Sequence, residues 1–244
     1  MLRNFASATA LAFTLIAGSG PALAGDIADA TLGETSPSPD ISTAAMRQVL
    51  KDHSAIIVDS RTVAEFDAGH LPGARLVERT SPSHLDTVSK IVNGDRAAKL
   101  VLYCNGPYCK ASRRLAAELV KAGYSNVVRY QLGLPVWRAL GGPVAIERGG
   151  IARIFKADQT AVFIDTRPAA EFAKGTLGNA VNIRPDELAK AKLPDDDFNR
   201  RIVLFGSDEA QARAAADVMS KRPWHNVSYY PGTFESLRQV LAAH

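Results

Sequence analysis

Two cysteines, Cys104 and Cys109, are the residues of this chain best suited to nucleophilic chemistry, and they lie five positions apart. Cys104 follows an apolar run, 100–103, that has the length of a buried parallel strand, and apolar residues recur at helical spacing after the loop. The loop between strand and helix consists of Asn105, Gly106, Pro107, Tyr108, Cys109 and Lys110. Its turn chemistry aims backbone N–H groups and the positive helix terminus at one point, which predicts an anion-binding cradle around Cys104.

A thiol at this position is expected to ionise more readily than a free cysteine, whose pKa is roughly 8.5. The helix N-terminus and the basic residues Lys110, Arg113 and Arg114 favour the thiolate. Cys104 is therefore a candidate nucleophile, and residues 105–110 are candidates for binding an anionic substrate. The loop alone leaves a second interpretation open, in which Cys104 is a small buried apolar residue at the end of a core strand.

The composition limits the classes of function. With 244 residues, 46% of them hydrophobic, the chain suits one large or two small globular domains. Its formal net charge of +4 is spread without a basic run, so we expect no nucleic-acid binding, although a basic pocket would attract small anions. The five histidines and two cysteines show no metal-ligand spacing, and we expect neither a metal nor another cofactor.

The N-terminal residues have the pattern of a secretory signal peptide, which we predict at 1–24. Arg3 supplies the positive region, residues 8–17 the apolar region, and residues 22–24 a cleavage site of small residues. No later run of about 18 apolar residues is present, so we expect no membrane span. Residues 25–39 are rich in Gly, Ser, Thr and Pro and predict a tether. The mature protein is therefore expected to be exported, with a periplasmic location.

The chain beyond the tether contains an internal repeat. Residues 164–175 match residues 58–69 with Asp, Arg, Glu, Phe and Gly in register. Each copy alternates short apolar strands with helices, which is typical of an α/β unit of about 100 residues. We expect two tandem domains, at 40–145 and 150–244, each an open parallel sheet flanked by helices.

The two copies differ at the cysteine. Residues 201–205 match 99–103, but Gly206 stands where the first copy has Cys104, and the shorter loop after it carries two acidic residues, 208–209. The second copy has therefore lost the thiol and gained negative charge. We interpret the residues kept in both copies as structural rather than catalytic, because a buried Asp–Arg pair and a Glu that caps a helix commonly stabilise folds. In the first copy these residues are Asp59, Arg61, Glu65, Phe66 and Gly69.

These residues together resemble the rhodanese (thiosulfate sulfurtransferase) family. The segments that match the family pattern, in order and at typical separations, are 58–61, 65–66, 69–74 and 103–104. The two copies cover nearly the whole chain beyond the tether, so the resemblance implies tandem rhodanese-like domains.

The resemblance also implies a reaction. Cys104 would attack the outer sulfur of a small anionic donor such as thiosulfate, release sulfite, and hold the sulfur as a persulfide until a thiol or cyanide acceptor takes it. The backbone N–H groups of residues 105–110 would stabilise the persulfide and orient the donor. Through its likeness to this family, the chain is expected to be an exported sulfurtransferase, catalytic in the first domain and covered by a non-catalytic second domain.

Cys109 departs from the family pattern, in which an Arg or Lys often lies five positions after the cysteine. A second thiol there could resolve a persulfide or sulfenic acid on Cys104 by closing a disulfide, or it could be only a helix-capping or buried residue. Two other functions therefore stay open: a thiol-disulfide redox protein that uses Cys104 and Cys109, and a module that binds an anion or a partner peptide without turnover.

Overall fold

The computed structural model describes residues 38–194 and 197–243. The predicted signal peptide and most of the predicted tether lie outside the described residues. The described chain forms two β-sheets in which every strand pair is parallel, one sheet from each copy of the repeat. Helices flank both sheets, and the predicted fold class is confirmed.

The first sheet has four strands in the order β2-β1-β3-β4. Its elements, in chain order, are α1 (Thr43–Asp52), β1 (Ile56–Asp59), α2 (Val63–Ala68), β2 (Arg75–Leu76), α3 (His84–Ile91), β3 (Leu100–Tyr103), α4 (Ala111–Lys121), β4 (Val127–Tyr130) and α5 (Gly133–Ala139). Asp59 at the end of β1 is in register with Tyr103 at the end of β3. The residues that follow these strands therefore meet at one edge of the sheet, where open α/β sheets bind ligands.

The second sheet has five strands in the order β5-β9-β8-β6-β7. Its elements are β5 (Val144–Ala145), α6 (Arg148–Ala157), β6 (Val162–Asp165), α7 (Ala169–Ala173), β7 (Val181–Asn182), β8 (Arg201–Phe205), α8 (Glu209–Met219), β9 (Asn226–Tyr229) and α9 (Phe234–Ala242). Asp165 pairs with Phe205 as Asp59 pairs with Tyr103, so the second sheet repeats the register of the first.

Local sequence accounts for the elements that carry the site. All four residues of β3 are buried, as a strand covered on both faces requires. Thr62 and Glu65 form the predicted capping box: the Thr62 hydroxyl accepts from the N–H of Glu65, and the Glu65 carboxylate accepts from the N–H of Thr62. This box fixes the start of α2 directly after the polar residues that end β1.

Strand β5 differs from the expected domain division. The first domain was predicted to end at residue 145, yet Val144 pairs with Ser228 of β9 in the second sheet. The side chain of Val144 packs in the core of the first sheet, whereas Ala145 packs in the core of the second. Alternate residues of a strand point in opposite directions, so a two-residue strand can serve both cores. β5 thus connects the two domains rather than closing the first.

Candidate functional site

Cys104 directly follows β3 and is only 2% exposed. It forms a disulfide with Cys109, and the two Cα atoms are 6.2 Å apart. The N–H of Cys109 donates to the carbonyl oxygen of Gly106 at 3.0 Å, which closes the loop into a tight turn. The sequence left this pairing open, and in the structure the two sulfurs are bonded. A nucleophilic thiolate is therefore available only after reduction of this disulfide.

The other residues predicted to bind substrate surround the turn. Tyr108 is 74% exposed, and Asn105 and Lys110 are also exposed. Gly106 is buried and Pro107 is partly buried. The 11-residue helix α4 begins directly after Lys110, whose side chain does not cap it. The positive end of a helix macrodipole thus follows the cysteine loop, as the sequence indicated.

Helix α5 supports the loop from behind. The carbonyl oxygen of Cys104 accepts a hydrogen bond from the N–H of Leu134 at 3.1 Å. Gly133 has a φ of +65°, and a Cβ atom built on it would collide with backbone atoms of Cys104 and Gly106. The start of α5 can approach the cysteine loop this closely because Gly133 has no side chain.

A buried ion pair lies at the end of the neighbouring strand. Arg61 donates to Asp59 through Nη2 at 2.6 Å and through Nε at 2.9 Å, and also to the carbonyl oxygen of Gly69 at 2.7 Å. The hydroxyl of Tyr103 donates to the same carboxylate at 2.5 Å. Burial, followed by the charge of Asp59, raises the pKa of Tyr103 well above its ordinary value, so the hydroxyl keeps its proton. The pair fixes the geometry at the end of β1, as the scaffold interpretation predicted.

Asn105 connects this scaffold to the cysteine loop. Its side-chain oxygen lies 3.5 Å from Nη1 of Arg61, and its amide nitrogen donates to the carboxylate of Glu65. Burial tends to raise the pKa of Glu65, but hydrogen bonds from the backbone of Thr62 and from Asn105 outweigh it and lower this pKa. Arg61 and Glu65, interpreted from the sequence as scaffold, therefore also hold the loop that carries Cys104.

A cleft of about 400 Å³ opens beside Asn105, between the two sheets. Three arginines line it: Arg61 after β1, Arg138 on α5 and Arg201 at the start of β8. Burial first, and then the charges of Arg201 and Arg61, lower the pKa of Arg138 to about 10. No sequence pattern pointed to Arg138 and Arg201, because they come from different domains and meet only through tertiary packing.

Both copies of the repeat match one protein-family model. Residues 42–140 and 151–239 each match the model of the rhodanese-like domain. The chain belongs to the rhodanese-like family. It contains two such domains in tandem, and the resemblance found in the sequence is confirmed.

Several known proteins are similar to parts of this rhodanese-like chain. Thiosulfate sulfurtransferase GlpE of Pseudomonas putida strain F1 is 33% identical over 92 residues, which cover 38% of this chain and 77% of that protein. A tRNA uridine(34) hydroxylase of Hamiltonella defensa is 26% identical over 113 residues, 46% of this chain and 31% of that protein. Among solved structures, a thiosulfate sulfurtransferase of Pseudomonas aeruginosa aligns with 79% of this chain and 43% of its own, at 17% identity and a TM-score of 0.38.

The second rhodanese-like domain keeps the scaffold without the thiol. Arg167 donates to Asp165 at 2.6 Å and to the carbonyl oxygen of Gly175 at 2.8 Å, as in the first domain. Gly206 follows β8, and the guanidinium carbon of Arg167 lies 3.4 Å from the ring centroid of Phe234. The second domain therefore has a glycine in place of the loop cysteine, and its buried arginine packs against an aromatic ring.

Residues 38–194 and 197–243 contain neither a membrane-spanning helix nor a cluster of metal ligands. No helix in these ranges is long and apolar enough to cross a membrane. No group of three or more His, Cys, Asp or Glu side chains in them could hold a metal ion.

Proposed function

We propose that this rhodanese-like protein is a sulfurtransferase that moves sulfane sulfur from thiosulfate or a related small anion to a thiol or cyanide acceptor through a persulfide on Cys104. The observation that carries the proposal is the position of Cys104 at the carboxyl end of β3, before a helix N-terminus and beside the Arg61–Asn105 contact, in the one domain that has a loop cysteine. The name and 33% identity of the Pseudomonas putida thiosulfate sulfurtransferase support it.

The reaction begins with reduction of the Cys104–Cys109 disulfide by two equivalents of thiol, which gives two cysteine thiols and an oxidised thiol pair. The thiolate of Cys104 then attacks the outer sulfur of thiosulfate. The sulfur–sulfur bond of the donor breaks, sulfite leaves with the electron pair, and a persulfide anion remains on the cysteine. The positive end of α4 and backbone N–H groups of the loop stabilise this anion.

In the second half-reaction, the acceptor thiolate or cyanide attacks the outer sulfur of the persulfide. The bond between the two sulfurs breaks, and Cys104 leaves as a thiolate that can begin another cycle. The products are an acceptor persulfide or thiocyanate. Neither half-reaction requires a general base, since attacking and leaving groups are all anions.

The disulfide favours a second candidate function, a thiol-disulfide redox protein that uses Cys104 as the attacking thiol and Cys109 as the resolving thiol. Replacement of Cys109 by serine separates the two. A sulfurtransferase needs only Cys104 and keeps sulfur transfer in this variant, whereas a dithiol oxidoreductase loses its activity.

The deciding experiment is an intact mass spectrum after reduction, removal of the reductant and addition of thiosulfate. We expect a gain of roughly 32 Da, one sulfur atom, on the wild type and on Cys109→Ser, and no gain on Cys104→Ser. Sulfur uptake by the Cys104→Ser variant would sink the proposal. A wild type that takes up no sulfur and only reforms the disulfide would give the redox function the lead.

The proposed site of action is the periplasm, reached through the signal peptide predicted at 1–24. Its support is the order of positive, apolar and small residues in that segment. Expression of the full chain, followed by cell fractionation and N-terminal sequencing, tests it: the periplasmic fraction should contain a form that starts at Gly25.

A further inference from the structure

The second domain has a cavity of its own at the sheet edge where β6 and β8 end. Its volume of about 410 Å³ lies within the range of roughly 300–1,000 Å³ that is typical of small-molecule sites. Every residue that lines it belongs to the second domain, and we call it the second-domain cavity. The lining includes the counterparts, in the repeat, of Arg61, Glu65 and Asn105, which are Arg167, Glu171 and Ser207.

In the first domain, the side-chain carboxamide of Asn105 connects Arg61 with Glu65. Its oxygen lies 3.5 Å from Nη1 of Arg61, and its nitrogen donates to the carboxylate of Glu65. The guanidinium offers a donor and the carboxylate an acceptor, so this pair is complementary to a group with one acceptor and one donor side by side. A primary carboxamide is such a group.

The second domain has the same guanidinium and carboxylate, but no carboxamide connects them. Ser207 stands at the position of Asn105, and its hydroxyl makes no hydrogen bond within residues 38–194 and 197–243. Arg167 is only 6% exposed and donates through Nε and Nη2 to Asp165, and through Nη2 to the carbonyl oxygen of Gly175. Its Nη1 has no acceptor within the same ranges. A buried side chain that lines a cavity with one donor unpaired points to a ligand that accepts from it.

Glu171 is present in the second copy without the structural role of Glu65. Glu65 caps α2 by accepting from the N–H of Thr62, whereas the residue at the position of Thr62 is Pro168, which has no N–H. Oε1 of Glu171 accepts from Nζ of Lys174 at 2.8 Å, and in the described part of the chain Oε2 accepts from no group. The hydrogen bond and charge of Lys174 lower the pKa of Glu171, so its side chain is an ionised acceptor with room for another donor.

Two observations favour a neutral ligand over an anion. Oε1 of Gln211 accepts from the N–H of Ser207 at 2.8 Å, so the loop does not offer this N–H to a ligand. A carboxamide supplies an acceptor and a donor without adding net charge, as the balance of charges around the cavity requires. Each of the three basic residues that line the cavity is paired with a carboxylate: Arg167 with Asp165, Lys174 with Glu171, and Arg238 with Glu235.

We propose that the second-domain cavity binds a ligand through a primary carboxamide. The carboxamide oxygen accepts from Nη1 of Arg167 and its N–H donates to Glu171, in the place that Asn105 takes between its two partners in the first domain. The domain without a cysteine is thus a binding domain with a specificity of its own. This inference does not depend on sulfur transfer, because no residue of the cysteine loop lines the cavity.

Three probes of similar size test the recognition of a carboxamide. Benzamide has both the acceptor and the donor, acetophenone has only the acceptor, and benzoate has acceptors with a negative charge. In ligand-observed NMR titrations, we expect the Kd of benzamide to be about tenfold lower than that of acetophenone, as loss of one hydrogen bond to a charged group predicts. Benzoate should also bind more weakly than benzamide. Equal affinity for benzamide and acetophenone, tighter binding of benzoate, or binding of none of the three would overturn the proposal.

The variant Ser207→Asn tests the position of the ligand. Its own carboxamide should connect Arg167 with Glu171, as Asn105 connects the corresponding pair, and an intramolecular group competes at high effective concentration. We therefore expect benzamide to bind about tenfold more weakly to this variant. The matched control is Ser125→Asn, which changes an exposed serine of the first domain outside the cavity and should bind benzamide like the wild type. Undiminished binding of benzamide by Ser207→Asn would contradict the assigned site.

A second variant, Glu171→Ala, removes the acceptor for the carboxamide N–H. The wild type should prefer benzamide to acetophenone about tenfold, and this preference should fall to about one in the variant. The circular dichroism spectrum is expected to match that of the wild type, because the side chain of Glu171 is exposed and its printed ion pair is with an exposed lysine. A preference that stays at the wild-type value would overturn the role of Glu171.

A carboxamide can belong to a free small molecule or to an asparagine side chain of a polypeptide. The peptide N-acetyl-Gly-Asn-Gly-N-methylamide and its Asp counterpart distinguish these two sources. A lower Kd for the Asn peptide than for benzamide would assign the ligand to a polypeptide, and the reverse order would assign it to a small molecule. Either order supports carboxamide recognition, whereas tighter binding of the Asp peptide than of the Asn peptide would refute it.

Discussion

At the scale of single residues, comparison of the two copies of the repeat shows which contacts stabilise the fold and which position the cysteine loop. Asp59–Arg61 and Asp165–Arg167 have nearly the same buried geometry, with closest contacts of 2.6 Å in both. Arg61 also lies 3.5 Å from Asn105, a residue of the cysteine loop. Arg167 has the ring of Phe234 against its guanidinium instead. The second copy is thus a control for the first within the same molecule.

Replacing each arginine by glutamine should expose this difference. Removal of one partner leaves a buried carboxylate without its counter-charge, so Arg61→Gln and Arg167→Gln are each expected to destabilise the protein by about 3 kcal/mol. Only Arg61→Gln should also slow persulfide formation on Cys104, because Asn105 loses its contact with Arg61. Urea unfolding and the rate of sulfur uptake by mass spectrometry measure the two effects. Equal slowing in both variants would mean that Arg61 acts only through stability.

The residues that could be predicted from the sequence are those whose partners are close in the chain. Asp59 lies two positions from Arg61, and Thr62 lies three positions from Glu65, so both contacts follow from local spacing. The recurrence of Asp, Arg and Glu in the second copy of the repeat also drew attention to these residues. The contact between Arg138 and Asn226 spans the two domains. No periodicity or motif encodes such a pair, so the cleft beside Asn105, which both domains line, could be found only from the structure.

At the scale of secondary-structure elements, the cysteine loop is held between two helix starts. α4 follows it in the chain, and α5 reaches it through the hydrogen bond from Leu134 to Cys104 and the close approach at Gly133. The sequence predicted the strand, loop and helix around Cys104 from apolar periodicity. The packing of α5 against the loop was not predictable in this way. It depends on the parallel pairing of β4 with β3, which places the start of α5 at the same sheet edge as the cysteine loop.

A pair of glycine variants tests the support from α5. Gly133 and Gly73 have similar positive φ values, +65° and +71°, but a Cβ at Gly73 would meet nothing within 4 Å. Gly73→Ala should therefore lower the free energy of unfolding by only about 1–2 kcal/mol, the cost of a left-handed backbone conformation for a residue with a Cβ atom. Gly133→Ala should lower the free energy of unfolding by more than this, because its methyl group displaces the backbone of Cys104 and Gly106. For the same reason it should also slow sulfur uptake. The comparison uses thermal unfolding and persulfide mass spectra of both variants. Wild-type uptake by Gly133→Ala would show that the loop does not depend on α5.

At the scale of the whole molecule, His70 lies at the junction between the domains. Its N–H donates to the carbonyl oxygen of Ala145 at 2.9 Å, and the N–H of Ala145 donates back at 3.0 Å. The imidazole stacks on Phe66 with ring centroids 3.8 Å apart, and its Nε2 lies 3.8 Å from a carboxylate oxygen of Glu147. Among the contacts between the two domains are thus a histidine and a two-residue strand, and this strand is too short for any sequence pattern to place.

The charge state of His70 links this junction to pH. Burial, the largest influence, and the nearby charge of Arg61 lower the pKa of His70, while its hydrogen bond to Phe66 and the charges of Asp59 and Asp67 oppose them without reversing the result. The folded protein therefore keeps the imidazole neutral at pH values where the unfolded chain is protonated. Unfolding takes up a proton in this range, and the free energy of unfolding must fall as the pH drops below the ordinary histidine value of 6.5.

His70→Gln is expected to remove this part of the pH dependence. The free energy of unfolding, measured by urea titration between about pH 8 and pH 5.5, should fall less steeply with decreasing pH in the variant than in the wild type. Glu147 also faces the imidazole, but burial raises its pKa above the ordinary 4.5, so its contribution to the pH dependence has the opposite sign. The matched control is His225→Gln, which removes an exposed histidine from the second domain. If His70→Gln retains the wild-type slope while His225→Gln reduces it, the junction is not the source of the pH dependence, and His70 holds the domains together without sensing protons.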